Sequence, residues 1–327
     1  RAFDNRVGFI ARGLPLDARL LRAAVPAVVN RLALMVNLQA AEDARHRYTL
    51  ATERRLFASP WLRAVLCNSK MVRDDIKARF GLPDERLPVL YNGVDSHIYS
   101  PGLAAHRERI RAKYHVPADA MLFLLVGSGF VRKGVPAAIA ATMRLPASAH
   151  LLVVGDDRRL ATYRQAARDE GAAGRVKFAG FQTDVAPFYG AADAFVLPAL
   201  YDAFPDAAME ALASGLPVIT SHCTGAAEIV TENDAGFVCA SRDPAALAAH
   251  MQALYDAGIR ARLSANARRA VEPLTPAAMT LKLVLLYKEL LEASVAHRLA
   301  ARAAREADSR APAEAPPLHG DDGLESE

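Results

Sequence analysis

A glycine-rich loop that carries two adjacent cations is the first candidate site in this sequence. Gly127, Gly129 and Gly134 punctuate the loop, and Arg132 and Lys133 stand side by side within it. Glycines let backbone N–H groups approach a phosphate closely, and the N-terminus of the following helix favours negative charge. The two cations can also neutralise a diphosphate, particularly one that gains charge as it leaves. The loop therefore predicts a diphosphate site; the structural alternative is a tight turn with two solvated cations.

Two acids eight residues apart, Asp202 and Glu210, form the second candidate site. Asp202 follows a predicted strand and Glu210 lies in the next helix, so both are expected to face the crevice at the strand ends. A glutamate such as Glu210 can accept two hydroxyl protons, as a ribose diol requires. The N–H groups at the start of this helix can hold sugar hydroxyls or a phosphate. The helix begins with Phe204, Pro205, Asp206 and Ala207. Alternatively, Asp202 and Asp206 are ordinary acids at the N-terminus of a helix, and Glu210 is a surface residue.

A third segment, Gly225–Val230, also leads from a loop into a helix. Alone it is a weak signal, because a capped and half-buried helix explains it equally well. The nine histidines show no H-x-x-x-H or H-E-x-x-H spacing, so nothing suggests a bound catalytic metal. The three cysteines, Cys67, Cys223 and Cys239, form no C-x-x-C pair. They predict buried structural thiols in a reduced, intracellular protein.

Strands that alternate with helices must position these loops. Such alternation predicts a parallel, doubly wound α/β sheet, whose ligands bind beyond the carboxyl ends of the strands. The predicted strands are Met121–Val126, His150–Val154, Arg175–Phe178, Ala194–Leu197, Pro217–Thr220 and Gly236–Cys239. The helices between them are predicted near Val135–Arg144, Leu160–Glu170, Val185–Ala191, Ala207–Ser214 and Ala226–Thr231.

The residues before this sheet are rich in helices and end in a β–α–β pattern. Gln39–Phe57 is a predicted helix, and Lys70–Phe80 is a second helix that Ser69 caps, between short strands at Ala64–Asn68 and Leu87–Leu90. We therefore expect four parts. They are the C-terminal part of a first Rossmann-like domain (1–99), a second Rossmann-like domain (100–272), a closing helix (273–300) and a disordered tail (301–327).

The charge of the chain is concentrated in its first part. The net charge is +4, and residues 1–99 carry 16 Lys and Arg against 10 Asp and Glu. This excess suggests an anionic partner such as a phosphorylated acceptor, an anionic membrane surface or nucleic acid. An arginine-rich solvated surface explains it equally well. No apolar run approaches the ~18–20 residues that a membrane-spanning helix needs.

Taken together and in this order, the motifs resemble the family 4 glycosyltransferases of the GT-B fold. The resemblance covers roughly residues 45–275. The matching stretches are VLYNGVD (Val89–Asp95), FLLVGSGFVRKG (Phe123–Gly134), HLLVVGDD, RVKFAGFQTDV (Arg175–Val185), YGAADAFVLPALYDAFPDAAMEALASGLPVITS (Tyr189–Ser221) and GAAEIV. The resemblance implies two Rossmann-like domains facing a cleft, with the N-terminal one only partly present and the C-terminal one complete.

The resemblance also implies a retaining transfer from a UDP-sugar that needs no metal and no other cofactor. Arg132 and Lys133 would bind the donor diphosphate and stabilise UDP as it leaves, and Asp202 would be the third catalytic residue. The family usually has Glu where this chain has Asp202, whose side chain is one methylene shorter. The remaining donor contacts would come from Gly127, Gly129, Phe181 (beside uracil), Phe204, Pro205, Asp206, Ala207 and Glu210 (on ribose).

Within the family, the chain is similar to the bacterial lipopolysaccharide-core α-1,3-glucosyltransferases. This likeness implies glucose as the sugar, a saccharide or lipid-linked saccharide as the acceptor, and a cytoplasmic protein peripheral on the inner membrane. A family member would begin with a further strand, glycine loop and helix, so we expect that the chain starts inside a longer protein.

Three other functions compete with this interpretation. The same scaffold serves nucleotide-sugar epimerases, which need no acceptor. A fragment of the enzyme would be a non-catalytic UDP-binding module. Nucleic-acid binding is the weakest alternative, because the basic region lacks interleaved aromatic residues and any known reading motif.

Overall fold

A computed structural model describes residues 44–169 and 171–308 of the chain. The described residues up to Leu281 form one compact unit, and those from Lys282 onward form a second. We call residues 44–99 the first lobe and residues 100–281 the second lobe. The predicted division into domains at residues 99 and 272 stays a prediction.

The first lobe contains two helices, α1 (Ala44–Phe57) and α2 (Lys70–Phe80). As predicted, Ser69 caps α2: its hydroxyl accepts a hydrogen bond from the Val72 N–H. The helix ends at Gly81, whose φ of 65° is a left-handed conformation that glycine adopts without steric cost. Residues 39–43, which were predicted to begin α1, lie outside the described residues.

The two strands predicted in the first lobe are reduced to a short parallel pairing. The Cys67 N–H donates to the carbonyl of Pro88, and the Leu90 N–H donates back to the carbonyl of Cys67. Only Cys67 and Val89 form a ladder bridge. Pro88 has no N–H to donate, which limits the pairing that this segment can sustain.

The second lobe is built on a six-stranded parallel sheet in the order β3-β2-β1-β4-β5-β6. This is the doubly wound order that the alternation of strands and helices predicts. The strands are β1 (Met121–Val126), β2 (Ala149–Val154), β3 (Val176–Gly180), β4 (Ala194–Leu197), β5 (Val218–Ser221) and β6 (Gly236–Cys239). The chain switches direction across the sheet between β1 and β4.

Helices cover both faces of the sheet. Along β1, Leu122 and Leu124 pack into the core on one face, while Phe123 and Leu125 pack into the core on the other. All six residues of β1 are buried, as expected for a central parallel strand. The helices are α3 (Arg107–Lys113), α4 (Val135–Met143), α5 (Leu160–Asp169), α6 (Ala186–Ala191), α7 (Asp206–Ala213), α8 (Ala226–Glu232), α9 (Pro244–Ala253) and α10 (Ala257–Val271).

The last helix, α11 (Pro276–Asp308), is longer than predicted. The closing helix was predicted to end at Ala300, with a disordered tail at residues 301–327. Residues 301–308, however, consist mainly of Ala and Arg and contain neither Gly nor Pro, so nothing stops the helix there. Residues 309–327 lie outside the described residues.

Two further findings concern surfaces. Trp61, the one tryptophan of the sequence, is 82% exposed. It lies in the turn after α1, where the chain changes direction at Ser59 and Pro60. Among the described residues, no helix is both long enough and apolar enough to cross a membrane.

Candidate active site

The glycine loop after β1 is folded tightly around the side chain of Lys133. Gly127 has a φ of 154°, and a Cβ there would lie 2.7 Å from the Lys133 Cε. Because Gly127 has no side chain, the aliphatic part of Lys133 can cross the loop at this point. Gly134 has a φ of 76°, and a Cβ there would overlap the carbonyl of Pro198 at the end of β4. The two glycines thus bring the loops after β1 and β4 together.

Hydrogen bonds to the loop after β2 fix the middle of the glycine loop. The Gly129 N–H donates to the carbonyl of Asp156 at 3.2 Å. The Phe130 N–H donates to the Asp157 carboxylate at 2.7 Å. Gly129 itself has a φ of 77° and open space where a side chain would be. The backbone at Gly129 is therefore open to a ligand on its outer side.

Arg132 and Lys133 meet Asp202 across 70 residues of sequence. The Lys133 Nζ lies 2.6 Å from the Asp202 Oδ2, and the Arg132 Nη1 lies 3.1 Å from the same oxygen. Lys133 is 8% exposed and Asp202 is 6% exposed. Two cations and one carboxylate leave a net positive charge in a buried place, where electrostatic interactions are strong. The structure therefore brings together the three residues predicted to be catalytic.

Backbone contacts hold Asp202 from both sides. Its N–H donates to the carbonyl of Cys223 at 3.0 Å, and its carbonyl accepts the Gly225 N–H at 2.9 Å. The neighbouring side chains of Tyr201 and Ala203 are buried in the hydrophobic core of the first lobe. The carboxylate of Asp202 thus faces the cations while its neighbours anchor the loop.

The first turn of α7 contacts the first lobe as well. Pro205 precedes the helix and makes no side-chain cap, so the N–H groups of the first turn are not used by a local cap. Phe204 is buried and stacks on Tyr91, with ring centroids 5.3 Å apart. The Asn92 amide donates to the Asp206 carboxylate at 3.0 Å. Ala207 is half-buried in the same turn, and its carbonyl accepts a hydrogen bond from the Tyr189 hydroxyl.

Glu210 has a different partner from Asp202. The hydroxyl of Tyr189, a fully buried residue of α6, donates to the Glu210 Oε2 at 2.7 Å. Burial first, and then the charge of Glu210, raise the pKa of Tyr189 well above its ordinary value, so this hydroxyl remains a donor. The two acids of the predicted pair are therefore held by two separate sets of contacts.

Phe181 lies apart from the cation cluster, just after β3 at the edge of the sheet. Its ring is 73% exposed, and the preceding Gly180 has a φ of 70° that turns the chain. The Gln182 amide donates to the carbonyl of Ala179, which closes the turn. An exposed aromatic ring at the carboxyl end of a strand is free to stack on a flat ring of a ligand.

Four residues around the site were not among the predicted site residues: Tyr91, Asn92, Tyr189 and Glu228. Tyr91 and Asn92 belong to a turn near the end of the first lobe, and Glu228 belongs to the segment Gly225–Val230 that is a weak signal by itself. All four lie in stretches that match the family pattern, but their contacts span up to 158 residues of sequence, so the pattern does not show which residues meet.

Neither a cluster of metal ligands nor a disulfide bond is found among the described residues. No group of three or more His, Cys, Asp or Glu residues lies close enough there to hold a metal ion. Cys67 and Cys239 are buried as predicted, whereas Cys223 is half-buried, and none of the three is in a disulfide bond. Burial raises the pKa of the Cys239 thiol to about 11, which keeps it protonated and unreactive near neutral pH.

Two protein-family models match this chain. A model described as glycosyl transferases group 1 matches residues 106–270, just over half of the chain. A second model, described as glycosyltransferase family 4, matches residues 15–97. The first match contains the glycine loop, both cations and both acids.

Two curated relatives are similar over part of their length. LpsE of Rhizobium meliloti, a lipopolysaccharide core biosynthesis glycosyltransferase, is 33% identical over 155 residues, which cover 47% of this chain and 45% of LpsE. WaaG of Escherichia coli K12, a lipopolysaccharide glucosyltransferase, is 30% identical over 201 residues, which cover 60% of this chain and 54% of WaaG. The chain spans about half the length of these curated relatives.

Solved structures share the architecture. A crystal structure of WaaG, a glycosyltransferase involved in lipopolysaccharide biosynthesis, matches with a TM-score of 0.67 at 26% identity, over 78% of this chain and 72% of that chain. Anabaena HepE in complex with UDP-glucose matches with a TM-score of 0.66 at 22% identity, over 74% of this chain and 68% of that chain. The HepE likeness shows the fold alone. With its doubly wound second lobe and these matches, the chain has the GT-B fold and belongs to the family of group 1 glycosyl transferases.

Proposed function

We propose that this chain supplies the donor-binding part, and a portion of the acceptor side, of a retaining glycosyltransferase that moves a hexose from a UDP-sugar to a saccharide acceptor. The observation that carries the proposal is the cluster in which Arg132 and Lys133 share one oxygen of Asp202 at the carboxyl end of the sheet. Such a cluster suits a diphosphate, because two adjacent cations that are largely shielded from water gain most from a ligand with several negative charges.

In the proposed reaction, the bond between the anomeric carbon and the UDP oxygen breaks, and its electrons leave with UDP. Arg132 and Lys133 stabilise the charge that develops on the diphosphate. The acceptor oxygen forms the new bond on the same face of the sugar, and its proton passes to the departing phosphate oxygen. The cations and the N-terminus of α7 supply the electrostatic stabilisation, so the reaction as proposed uses no metal.

The proposed donor site extends on both sides of the cation cluster. Gly129 leaves open space beside its backbone for the diphosphate, Gly127 lets the Lys133 side chain cross the loop, and Phe181 offers its exposed ring to uracil. The first turn of α7 would hold the sugar. Glu210, oriented by Tyr189, would bind the ribose hydroxyls.

Glucose is the proposed sugar and lipopolysaccharide core the proposed product. The support is that WaaG is named a lipopolysaccharide glucosyltransferase and that LpsE is named a lipopolysaccharide core biosynthesis glycosyltransferase. A lipid-linked acceptor would place the protein on the cytoplasmic face of a membrane. The arginines in the last turn of α1 and the exposed ring of Trp61 would suit an anionic surface of this kind. The matched family and both curated relatives are glycosyltransferases, so the epimerase alternative finds no support in them.

Calorimetric titration with UDP, UDP-glucose and ADP-glucose, with and without magnesium, tests the donor site. We expect binding of the UDP compounds in preference to ADP-glucose, equally with and without magnesium. Arg132→Ala should abolish most of this binding. Arg262→Ala is the matched control, because Arg262 is 54% exposed and pairs with the exposed Asp234 on the surface. Equal binding of ADP-glucose, or unchanged UDP binding in Arg132→Ala, would contradict the proposal.

A further inference from the structure

Glu228 joins the second lobe to the first through three hydrogen bonds. Its Oε2 accepts the Lys70 N–H at 3.1 Å and the Tyr91 hydroxyl at 2.7 Å. Its Oε1 accepts the Met71 N–H at 3.3 Å. Lys70 and Met71 are the first two residues of α2, so an acid on α8 contacts the N-terminus of a helix in the other lobe.

The helix α2 depends on this contact for part of its cap. Its first turn contains no acid of its own, and Ser69 accepts only the Val72 N–H. The two N–H groups before Val72 are satisfied by Glu228. A carboxylate in this place interacts favourably with the helix dipole and makes charge-assisted hydrogen bonds. The stability of α2 is therefore linked to the position of α8.

Tyr91 extends the contact from Glu228 to the candidate active site. Its ring stacks on Phe204 at an interplanar angle of 30°, while its hydroxyl donates to Glu228. The adjacent Asn92 donates to Asp206. Burial, aided by the hydrogen bond to Glu228, raises the pKa of the Tyr91 hydroxyl, which therefore remains a donor near neutral pH. Tyr91 thus touches Glu228 with one end and the start of α7 with the other.

The backbone completes the connection on the side of Asp202. The Gly225 N–H donates to the carbonyl of Asp202. A Cβ on Gly225 would overlap the carbonyl of Ala203 and lie 2.6 Å from the Cβ of Ser69. The start of α8, the loop of Asp202 and the cap of α2 therefore meet at one close contact.

We infer that Glu228, acting through Tyr91, is a positioning residue that orients the segment Asp202–Asp206 against α2 for sugar transfer. Glu228 makes hydrogen bonds to Tyr91 and to the N-terminus of α2, so it acts on the segment Asp202–Asp206 through them. The inference rests on the proposed function. It predicts a larger effect on turnover than on UDP affinity, because the hydrogen bonds of Glu228 go to Lys70, Met71 and Tyr91 and not to the two cations.

The chain offers a matched control for Glu228. Glu232 lies one turn later on the same helix, and its carboxylate also reaches Lys70, but through the side-chain Nζ at 2.5 Å. The two side chains of that pair are 51% and 44% exposed, and such surface pairs contribute little. Glu228→Gln and Glu232→Gln therefore make the same chemical change on one helix toward one partner residue.

The experiment uses the full-length gene product that contains these residues. Steady-state kinetics of UDP release from UDP-glucose give kcat and KM, and amide hydrogen exchange by mass spectrometry follows residues 201–206. For Glu228→Gln we expect kcat to fall about tenfold, with the UDP Kd and the donor KM within about twofold of wild type. Exchange at residues 201–206 should rise. Glu232→Gln should match wild type in every measurement.

Tyr91→Phe keeps the stacking on Phe204 and removes only the hydroxyl, so it tests the link if Glu228→Gln folds poorly. We expect the same pattern at about threefold in kcat, since one hydrogen bond is lost. Exchange at residues 201–206 that is equal in Glu228→Gln and Glu232→Gln would overturn the inference, whatever the activity. A lower melting temperature with unchanged kcat would overturn it too, since Glu228 would then only cap α2. A wild-type protein that transfers no sugar would refute the proposed function, and hydrogen exchange would still decide the inference.

Discussion

Asp202 sets the charge balance among the residues of the candidate site. Its single Oδ2 accepts hydrogen bonds from both cations, so a diphosphate must compete with a carboxylate that is already in contact with them. Asn at this position would keep the shape and remove the charge. The site would then carry two uncompensated cations in a buried place, which favours an anionic ligand.

We therefore predict that Asp202→Asn binds UDP about tenfold more tightly than wild type, because the competing charge is gone. Isothermal calorimetry at constant salt measures the change. Asp234→Asn, which removes an exposed carboxylate paired with Arg262, serves as the control. An unchanged or weaker UDP affinity in Asp202→Asn would show that Asp202 does not compete with the diphosphate.

Tyr189 makes a second prediction at the residue scale. Because its pKa is raised in the folded protein, the folded state holds its proton more firmly than the unfolded state, where the pKa is near 10. The stabilisation is complete below about pH 10 and is lost as the pH rises above it, at up to about 1.4 kcal/mol per pH unit. Tyr189→Phe should lose this pH dependence.

Denaturant unfolding of both proteins between pH 8 and pH 11 measures the difference. Tyr189→Phe should also be less stable by about 1–2 kcal/mol at pH 8, since the carboxylate of Glu210 loses a donor. Tyr48→Phe removes a hydroxyl from a residue that is 73% exposed and controls for loss of a phenol. Parallel pH curves for wild type and Tyr189→Phe would rule out this account.

Among the elements, the connection of the loops after β1 and β4 depends on Gly134. We predict that Gly134→Ala lowers the free energy of unfolding by about 1–3 kcal/mol for the strained φ and by a further ~2 kcal/mol for overlap with Pro198. UDP affinity should fall with it, because the glycine loop that carries Arg132 and Lys133 must shift. Gly171→Ala is the matched control: Gly171 has a similar φ of 70° and nothing within 4 Å of its Cβ position.

Thermal and denaturant unfolding together with calorimetry separate the two contributions. If both alanine variants lose equal stability and both keep their UDP affinity, the close approach to Pro198 has no role in the site.

The elements of the second lobe could be predicted from the sequence because their signals are local. β1, β4 and β6 begin and end where the apolar runs predict, since a buried parallel strand reads as a continuous apolar segment. The strands of the first lobe could not be predicted in this way, because the pairing that Pro88 permits depends on its partner. The extension of α11 could not be predicted from apolar periodicity, because residues 301–308 show none, although Ala and Arg favour a helix.

The candidate site was predictable to the level of its loops. The sequence predicts that the glycine loop and the loop of Asp202 follow strands, and parallel topology brings such ends to one edge. The sequence does not predict that Arg132 and Lys133 contact the same oxygen of Asp202, because this contact depends on side-chain rotamers. It also does not predict that Glu210 contacts Tyr189, since that contact depends on how α6 packs against α7.

At the scale of the whole molecule, the prediction concerns the full-length gene product. Arg132→Ala combined with Lys133→Ala should lower the turnover of UDP-glucose by about 100-fold or more, because two groups that stabilise the leaving diphosphate are lost. UDP release in the presence of lipopolysaccharide acceptor measures this, with Arg262→Ala as the control. Wild-type turnover in the double variant would remove the basis for the proposed transferase.

The cap of α2 by Glu228 has a consequence for biosynthesis. The hydrogen-bonded residues Lys70 and Glu228 are separated by 158 residues of sequence. The hydrophobic core of the first lobe also includes two residues of the second lobe, Tyr201 and Ala203. A ribosome that has released α2 must still add most of the second lobe before either contact exists, and contacts of such long separation form late. The first lobe is therefore synthesised before the second lobe but completes its folding only after it. Until then, Ser69 is the only side chain that caps the N-terminus of α2 among the contacts described above.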